Sequence, residues 1–205
     1  MKVSVIMASY LGAYPGSASN REQKFIRAVN SFKKQTYADK ELIIVADGCP
    51  KTVELYHQHF INDDSIKLTA VNKQAHYSGE MRNAALRIAS GEVISYLDSD
   101  DVIGTRHLEI IMSQFDLHNY DWVYYNDYMV TEPTFKKLHL RIVEPRFASI
   151  GTSAITHKKD DRLEWMSGYG HDFLYVIKLA SLGLRYKKLE TSPQYLVCHY
   201  YNGDF

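Results

Sequence analysis

Glu92-Val93-Ile94-Ser95-Tyr96-Leu97-Asp98-Ser99-Asp100-Asp101 is the stretch on which the reading of the whole chain turns. Val93, Ile94, Tyr96 and Leu97 form a β-branched and aromatic run of strand type, bounded upstream by Gly91. The run stops in a cluster of carboxylates, Asp98, Asp100 and Asp101. Like charges this close repel, and a folded chain tolerates them best with a cation between them. Oxygen donors in an Asp-x-Asp spacing suit a hard divalent ion, Mg²⁺ or Mn²⁺. In an open α/β sheet the C-terminal end of a strand is also where ligands bind. Taken alone, the same spacing describes a solvated acidic turn ahead of a helix, with Asp101 near its start.

The flanking segments favour the sheet. Upstream, Met81, Ala84, Ala85, Ile88 and Ala89 share a helix face, with Gly91 as its C-terminal cap. Before them come apolar strand runs at residues 66–71, 41–46 and 3–8. The second is broken by Asp47-Gly48-Cys49-Pro50, and a helix is expected over residues 52–60. A loop rich in Gly, Pro, Ser and Ala follows the first strand. Ser19 and Glu22 then form a capping box for a helix that buries Phe25, Val29 and Phe32. Downstream, Leu108, Ile111, Met112 and Phe115 repeat at helical spacing. The order β-α-β-α-β-α-β-α predicts a mainly parallel central sheet with right-handed crossovers, flanked by helices. The second half is mixed and less regular. Strands are expected at 122–125, 138–143, 152–156 and 195–201, and a helix over 172–182 ending at Gly183. With no linker or repeat in view, residues 1–205 read as one domain, about 1–104 binding a nucleotide and about 105–205 shaping the substrate site.

Composition narrows the classes. The 205 residues are 45% hydrophobic and 23% charged, as in a globular chain, with Lys+Arg and Asp+Glu balanced at 24 each. That balance gives no reason to expect nucleic acid as a partner. Sixteen tyrosines supply flat rings with a hydroxyl, suited to cores and to binding clefts alike. Two cysteines, Cys49 and Cys198, do not make a disulfide scaffold, and a reducing compartment fits. No secretory leader or membrane span is recognisable, so the expected location is cytoplasmic, compatible with peripheral contact at the inner face of a membrane.

Several blocks, in this order and spacing, resemble the family 2 glycosyltransferases of the GT-A fold, a Rossmann-like α/β architecture. They are Val3-Ser4-Val5-Ile6-Met7-Ala8-Ser9-Tyr10; Ala28-Val29-Asn30-Ser31-Phe32 with Gln35-Thr36-Tyr37; Glu41 to Gly48; Arg82-Asn83-Ala84-Ala85-Leu86; Ala89-Ser90-Gly91-Glu92; and Leu97 to Asp101. The resemblance implies that Ser9, Tyr10, Asp47, Arg82, Asp98 and Ser99 bind a nucleotide-sugar. Tyr10 would stack on the base, Asp47 would accept from a base N–H, and Arg82 would reach the base or diphosphate. Asp100 would bind the metal directly, Asp98 would serve the ribose or the metal and its waters, and His199 would be a further metal or diphosphate ligand. In Gly170-His171-Asp172-Phe173, Asp172 takes the place of the family's base at the start of a late helix. His171 replaces the usual Glu, and His171 and Trp165 fall where the acceptor would lie. Ala46 stands where the family often has a further Asp.

The implied activity is metal-dependent inverting transfer of a sugar from a nucleotide diphosphate, UDP by expectation, to a hydroxyl of a glycan or lipid-linked glycan, with Mn²⁺ or Mg²⁺ as cofactor. A sugar-nucleotide nucleotidyltransferase and a non-catalytic nucleotide-sugar-binding protein are the alternatives. The first calls for a basic Gly-rich loop after the first strand, and residues 12–20 carry no basic residue.

Overall fold

The computed structural model describes residues 1–14, 17–73, 77–130, 138–189 and 194–198. Strands β1 (Val3–Ser9), β2 (Lys40–Asp47), β3 (Ile66–Val71) and β4 (Val93–Tyr96) alternate with helices α1 (Arg21–Lys33), α2 (Pro50–His59) and α3 (Gly79–Ile88). The short β5 (Val102–Ile103) and helix α4 (His107–Leu117) close this half. Then come β6 (Trp122–Tyr125), β7 (Asp127–Val130), β8 (Leu138–Arg141), β9 (Ile155–Lys158), α5 (His171–Ser181), β10 (Tyr186–Leu189) and β11 (Tyr195–Val197).

Seven strands form one sheet in the order β10-β6-β9-β4-β1-β2-β3. The β1/β2, β2/β3, β1/β4 and β6/β10 ladders are parallel, and β9 runs antiparallel between β4 and β6. Strand β1 has β2 on one side and β4 on the other, so the chain winds away from it in both directions. This is a topological switch point, and a crevice opens there beyond the carboxyl ends of the strands. A second sheet, β5-β11-β7-β8, lies against the acidic turn that follows β4.

The apolar runs make a sheet buried on both faces. Along β1 and β2, Val3, Val5, Met7, Leu42 and Ile44 face a core shared with Phe25, Val29 and Phe32 of α1 and with Leu108, Ile111 and Met112 of α4. Their neighbours Ile6, Ile43 and Val45 face the opposite core, with Met81 and Ala85 of α3 and Tyr175, Val176 and Leu179 of α5. The period-two alternation of strands and the 3.6-residue period of helices thus assemble three layers, helix–sheet–helix.

Four sequence expectations need correction. The capping box does not form: α1 has Asn20 at its N-cap, with no side-chain cap bond. Gly91 does not cap α3, whose C-cap is Ala89. It is needed because its backbone packs against β1, where an added Cβ would lie 2.6 Å from the Ser4 nitrogen. Residues 152–154 are a single 3₁₀ turn, and the strand begins only at Ile155. Strands β5, β7 and β10 were not expected at all. The tail of the last predicted strand lies outside the described residues.

Candidate active site

Three strand ends supply the crevice walls: Ser9 closing β1 with Tyr10 after it, Asp47 closing β2, and Asp98 to Asp101 after β4. The cleft they border has a volume of about 650 Å³. Arg82, His171 and Asp172 reach it from α3 and α5, and Tyr77, Lys73, Arg141 and Thr152 from loops and edges.

The Asp47-Gly48 turn explains one wall. Gly48 has a φ of 54°, and its nitrogen donates to the carbonyls of Ala46 and Val71 (3.1 and 2.9 Å). Any Cβ there would strike the Lys73 backbone at 2.6 Å, so glycine lets the segment after β3 close on the end of β2. Lys73 Nζ then donates to Asp47 Oδ2 (2.5 Å) and lies 4.3 Å from the centre of the Tyr10 ring. Asp47 is 4% exposed, so a ligand group approaching it meets an ion pair already made. Ser9 lies beside it, but its hydroxyl is committed to Thr52 (2.8 Å) and buried. It ties β1 to α2 at the edge of the cleft.

The acidic turn is held by the end of the described chain. Asp98 N–H donates to the Tyr195 hydroxyl (3.0 Å), and Cys198 N–H donates to Asp101 Oδ1 (2.7 Å). Arg27 donates to the Asp100 carbonyl (2.8 Å), and Lys24 Nζ, itself buried, to the Cys198 carbonyl (2.7 Å). Asp101 is 2% exposed, so it is a structural anchor and not part of a solvated turn. Burial and the neighbouring Asp100 and Asp98 push its carboxyl well above its ordinary range. Asp98 is different: its side chain is 41% exposed and faces the cleft. Its pKa is raised by desolvation in the cleft wall first and by the neighbouring Asp100 and Asp172 next, against the pull of Arg82. Negative charge therefore gathers where Asp98 and Asp100 meet the cleft. Ser99, 8% exposed, lines the same wall. Among the described residues no three carboxylates, histidines or cysteines form a metal cage. His199 lies outside the described residues.

Opposite this turn, Arg82 is buried and makes three contacts. Its guanidinium lies 4.7 Å from the Trp165 ring centre, Nη2 is 3.4 Å from Asp98 Oδ1, and Nη1 is 2.8 Å from His171 Nε2. His171 Nδ1 is 2.9 Å from the Gly168 carbonyl. His171 Nε2 lies between Arg82 Nη1 (2.8 Å) and Asp172 Oδ1 (3.3 Å), so it accepts from Arg82 when bare and donates to Asp172 when protonated. His171 thus links Arg82 to Asp172, and its 8% exposure leaves little of it for an acceptor substrate. Asp172 stands in the first turn of α5, where the helix dipole favours an anion. The Thr152 hydroxyl donates to its Oδ1. Burial works to raise its pKa, but His171, Arg82 and Thr152 outweigh it and hold the carboxyl below its ordinary 3.8.

Trp165 does not line the cleft. It is 2% exposed, stacks on Tyr175 with centroids 3.9 Å apart, and donates through Nε1 to the Tyr96 hydroxyl (3.1 Å). Its role is to back Arg82 from inside the core, which corrects the expectation of an acceptor contact. Lys73, Arg141 and Thr152 had no signal in the sequence, because each arrives from a loop or strand edge far along the chain. Arg141 is fixed by a two-pronged bond to the fully buried Asp127.

A switch-point crevice walled by carboxylates on one side and by a buried arginine and a helix-borne aspartate on the other stands where open α/β sheets bind their ligands. Residues 17–177 match the model of glycosyl transferase family 2, and the chain belongs to that family. A UDP-Glc:alpha-D-GlcNAc-diphosphoundecaprenol beta-1,3-glucosyltransferase of Escherichia coli is 35% identical over 124 residues, 60% of this chain and 45% of that protein. The poly(ribitol-phosphate) beta-N-acetylglucosaminyltransferase TarS of Staphylococcus aureus is 29% identical over 124 residues, 59% of this chain and 20% of that one. The crystal structure of TarS residues 1–349 with UDP-GlcNAc superposes with a TM-score of 0.75 at 23% identity, covering 96% of this chain and 58% of the other. The fold is GT-A. The chain spans less than half the length of either of these two relatives. No helix among the described residues is long and apolar enough to cross a membrane.

Proposed function

We propose that this domain transfers a sugar from a UDP-linked donor to a hydroxyl of a glycan or lipid-linked glycan by a single inverting displacement. The observation that carries the reading is the placement of Asp172, an ionised carboxylate, across one cleft from the Asp98–Asp100 turn. Tyr10 and Asp47 would receive the base, and Arg82, fixed in direction by His171 and Trp165, the diphosphate. Asp172 would take the proton from the attacking hydroxyl, in one step with bond formation to the anomeric carbon. Thr152 keeps that carboxylate oriented. The E. coli relative is named for a UDP-glucose donor and a lipid-linked acceptor, which supports the same classes here.

Asp98 and Asp100 fit a hard divalent ion: both are oxygen donors lining one cleft wall, and a cation between them would offset their like charge. With only two protein carboxylates, ligand phosphate and water would complete the shell, a mode common for Mg²⁺. When bound, the ion would offset the charge growing on the leaving diphosphate.

Thermal shift with UDP, GDP, CDP and TDP, with and without Mn²⁺, tests the donor side. A single diphosphate should stabilise the protein, only with metal, and not in Asp100→Asn; at about 100 times its Kd the gain is roughly 2.7 kcal/mol. Asp172→Asn should keep that shift and abolish transfer. Stabilisation by no diphosphate, or near-normal transfer by Asp172→Asn, would overturn the reading.

A further inference from the structure

Beside Asp172, aromatic rings stand exposed on three separate loops, and nothing in the transfer chemistry above uses them. Tyr77 is 51% exposed, Phe147 51% and Tyr169 73%. They are not scattered. The Tyr77 and Tyr169 ring centroids are 6.3 Å apart, Tyr169 and Phe147 5.7 Å, and Phe147 and Phe173 6.2 Å. Tyr77 also lies 5.8 Å from the His171 ring and lines the cleft itself. His171 and Phe173 are the neighbours of Asp172 in sequence, so this row of rings brackets the carboxylate and continues outward from the cleft.

The backbone holds the rings there at a cost. Tyr77, with φ 53°, and Ala148, next to Phe147, with φ 59°, are non-glycine residues in the left-handed region. Phe147 lies so close to Gly170 that an added Cβ would meet its ring at 2.7 Å. Contiguous apolar rings left in water are unfavourable and mark a binding surface. A tyrosine face with a hydroxyl at its edge matches a pyranose, which is apolar across its C–H face and polar around its rim.

We propose that Tyr77, Tyr169 and Phe147 form the acceptor subsite, stacking on a pyranose ring so that one of its hydroxyls meets Asp172. The proposal rests on the transfer reading above and commits it to a saccharide acceptor. A lipid surface is the competing occupant; continuity of the rings with the cleft through Tyr77 favours the sugar.

The test uses the whole chain with UDP and Mn²⁺, and saturation-transfer NMR on methyl N-acetyl-α-glucosaminide, methyl α-glucoside and methyl α-galactoside. At least one pyranoside should receive saturation on its ring C–H protons. That signal should fall roughly five- to tenfold in the Tyr77→Ala/Tyr169→Ala double variant, the loss expected when ring stacking is removed. Tyr169→Phe should retain it. The UDP-induced thermal shift should be unchanged in Tyr169→Phe, and the double variant should keep a single cooperative thermal melt, which reports that both fold. With UDP bound, absence of saturation for all three sugars, or saturation indifferent to both tyrosines, overturns the subsite and leaves the donor site standing. So does unchanged saturation with loss of binding to anionic phospholipid vesicles. Ring-dependent saturation without any UDP shift would uphold the saccharide site and remove the transferase reading instead.

Discussion

Trp165→Phe separates a core role from a substrate role. The indole N–H to the Tyr96 hydroxyl is lost, at about 1 kcal/mol. That hydroxyl keeps His157 Nε2 at 2.8 Å, so no orphaned polar group adds a further penalty. Replacing indole by phenyl leaves a void of roughly 40 Å³, worth about 1 kcal/mol at ~24 cal/mol per Å³. The stack on Tyr175 and the ring beneath Arg82 survive in part, and the bonds from Asn83 reach only the Trp165 backbone (2.8 and 2.9 Å). The sum is about 2 kcal/mol, or about 4–8 °C in Tm for a chain of this size. Urea unfolding reads the first figure and a thermal melt the second, while acceptor KM should stay within about twofold. In the native protein both tryptophans, each buried, should resist acrylamide quenching. A variant of unchanged stability with acceptor KM raised about tenfold would refute the reasoning, because Trp165 would then be facing substrate.

Glu41, 1% exposed, accepts from Ser4 (2.6 Å), from Ser90 N–H and Oγ (both 2.8 Å) and from Lys67 (2.7 Å); burial opposes ionisation, but these partners hold its pKa well below 4.5. Its contribution to stability is present above pH 4.5 and lost as the pH falls toward its own lower pKa, so Glu41→Gln should be less stable at pH 7 by roughly 2–3 kcal/mol and flatter below pH 4.5 in urea titrations. Burial lowers the His157 pKa from 6.5 to about 4, so the unfolded chain binds the proton first and stability drops as the pH falls from 6.5 to 4. His157→Gln should remove up to roughly 3 kcal/mol of that slope, measured as the free energy of unfolding against pH. His171→Leu, which leaves the Arg82 fork without its acceptor, should lower kcat/KM about tenfold or more, whereas His171→Gln should recover most of it. Equal rates for the two variants would show that Arg82 needs no partner there.

Much of the first half was legible because its strands and helices are long and their apolar periods unambiguous. Residues 3–8, 41–46 and 66–71 are strands, and Leu108, Ile111, Met112 and Phe115 do face the core. The second half resisted because β5, β7 and β10 are two to four residues long, too short for a period to register. In the cleft, Asp98, Asp100 and Asp172 announced themselves by position at strand and helix ends. Lys73, Arg141 and Thr152 did not, since what places them is a glycine turn, a buried Asp127 and a 3₁₀ turn, all tertiary facts. Trp165 was misread for a related reason: a large aromatic near a base looks the same in sequence whether it faces the sugar or the core.

The bonds from Tyr195 and Cys198 to the acidic turn have a consequence for biosynthesis. A nascent chain emerging from the ribosome presents Asp98, Asp100 and Asp101 about a hundred residues before β11 exists to receive them. Until then the turn has its mutual repulsion without the Tyr195 hydroxyl and Cys198 amide bonds that shape it. The donor half therefore acquires its final carboxylate geometry only late in translation, and a product terminated before Tyr195 would keep most of the sheet and lack an organised site.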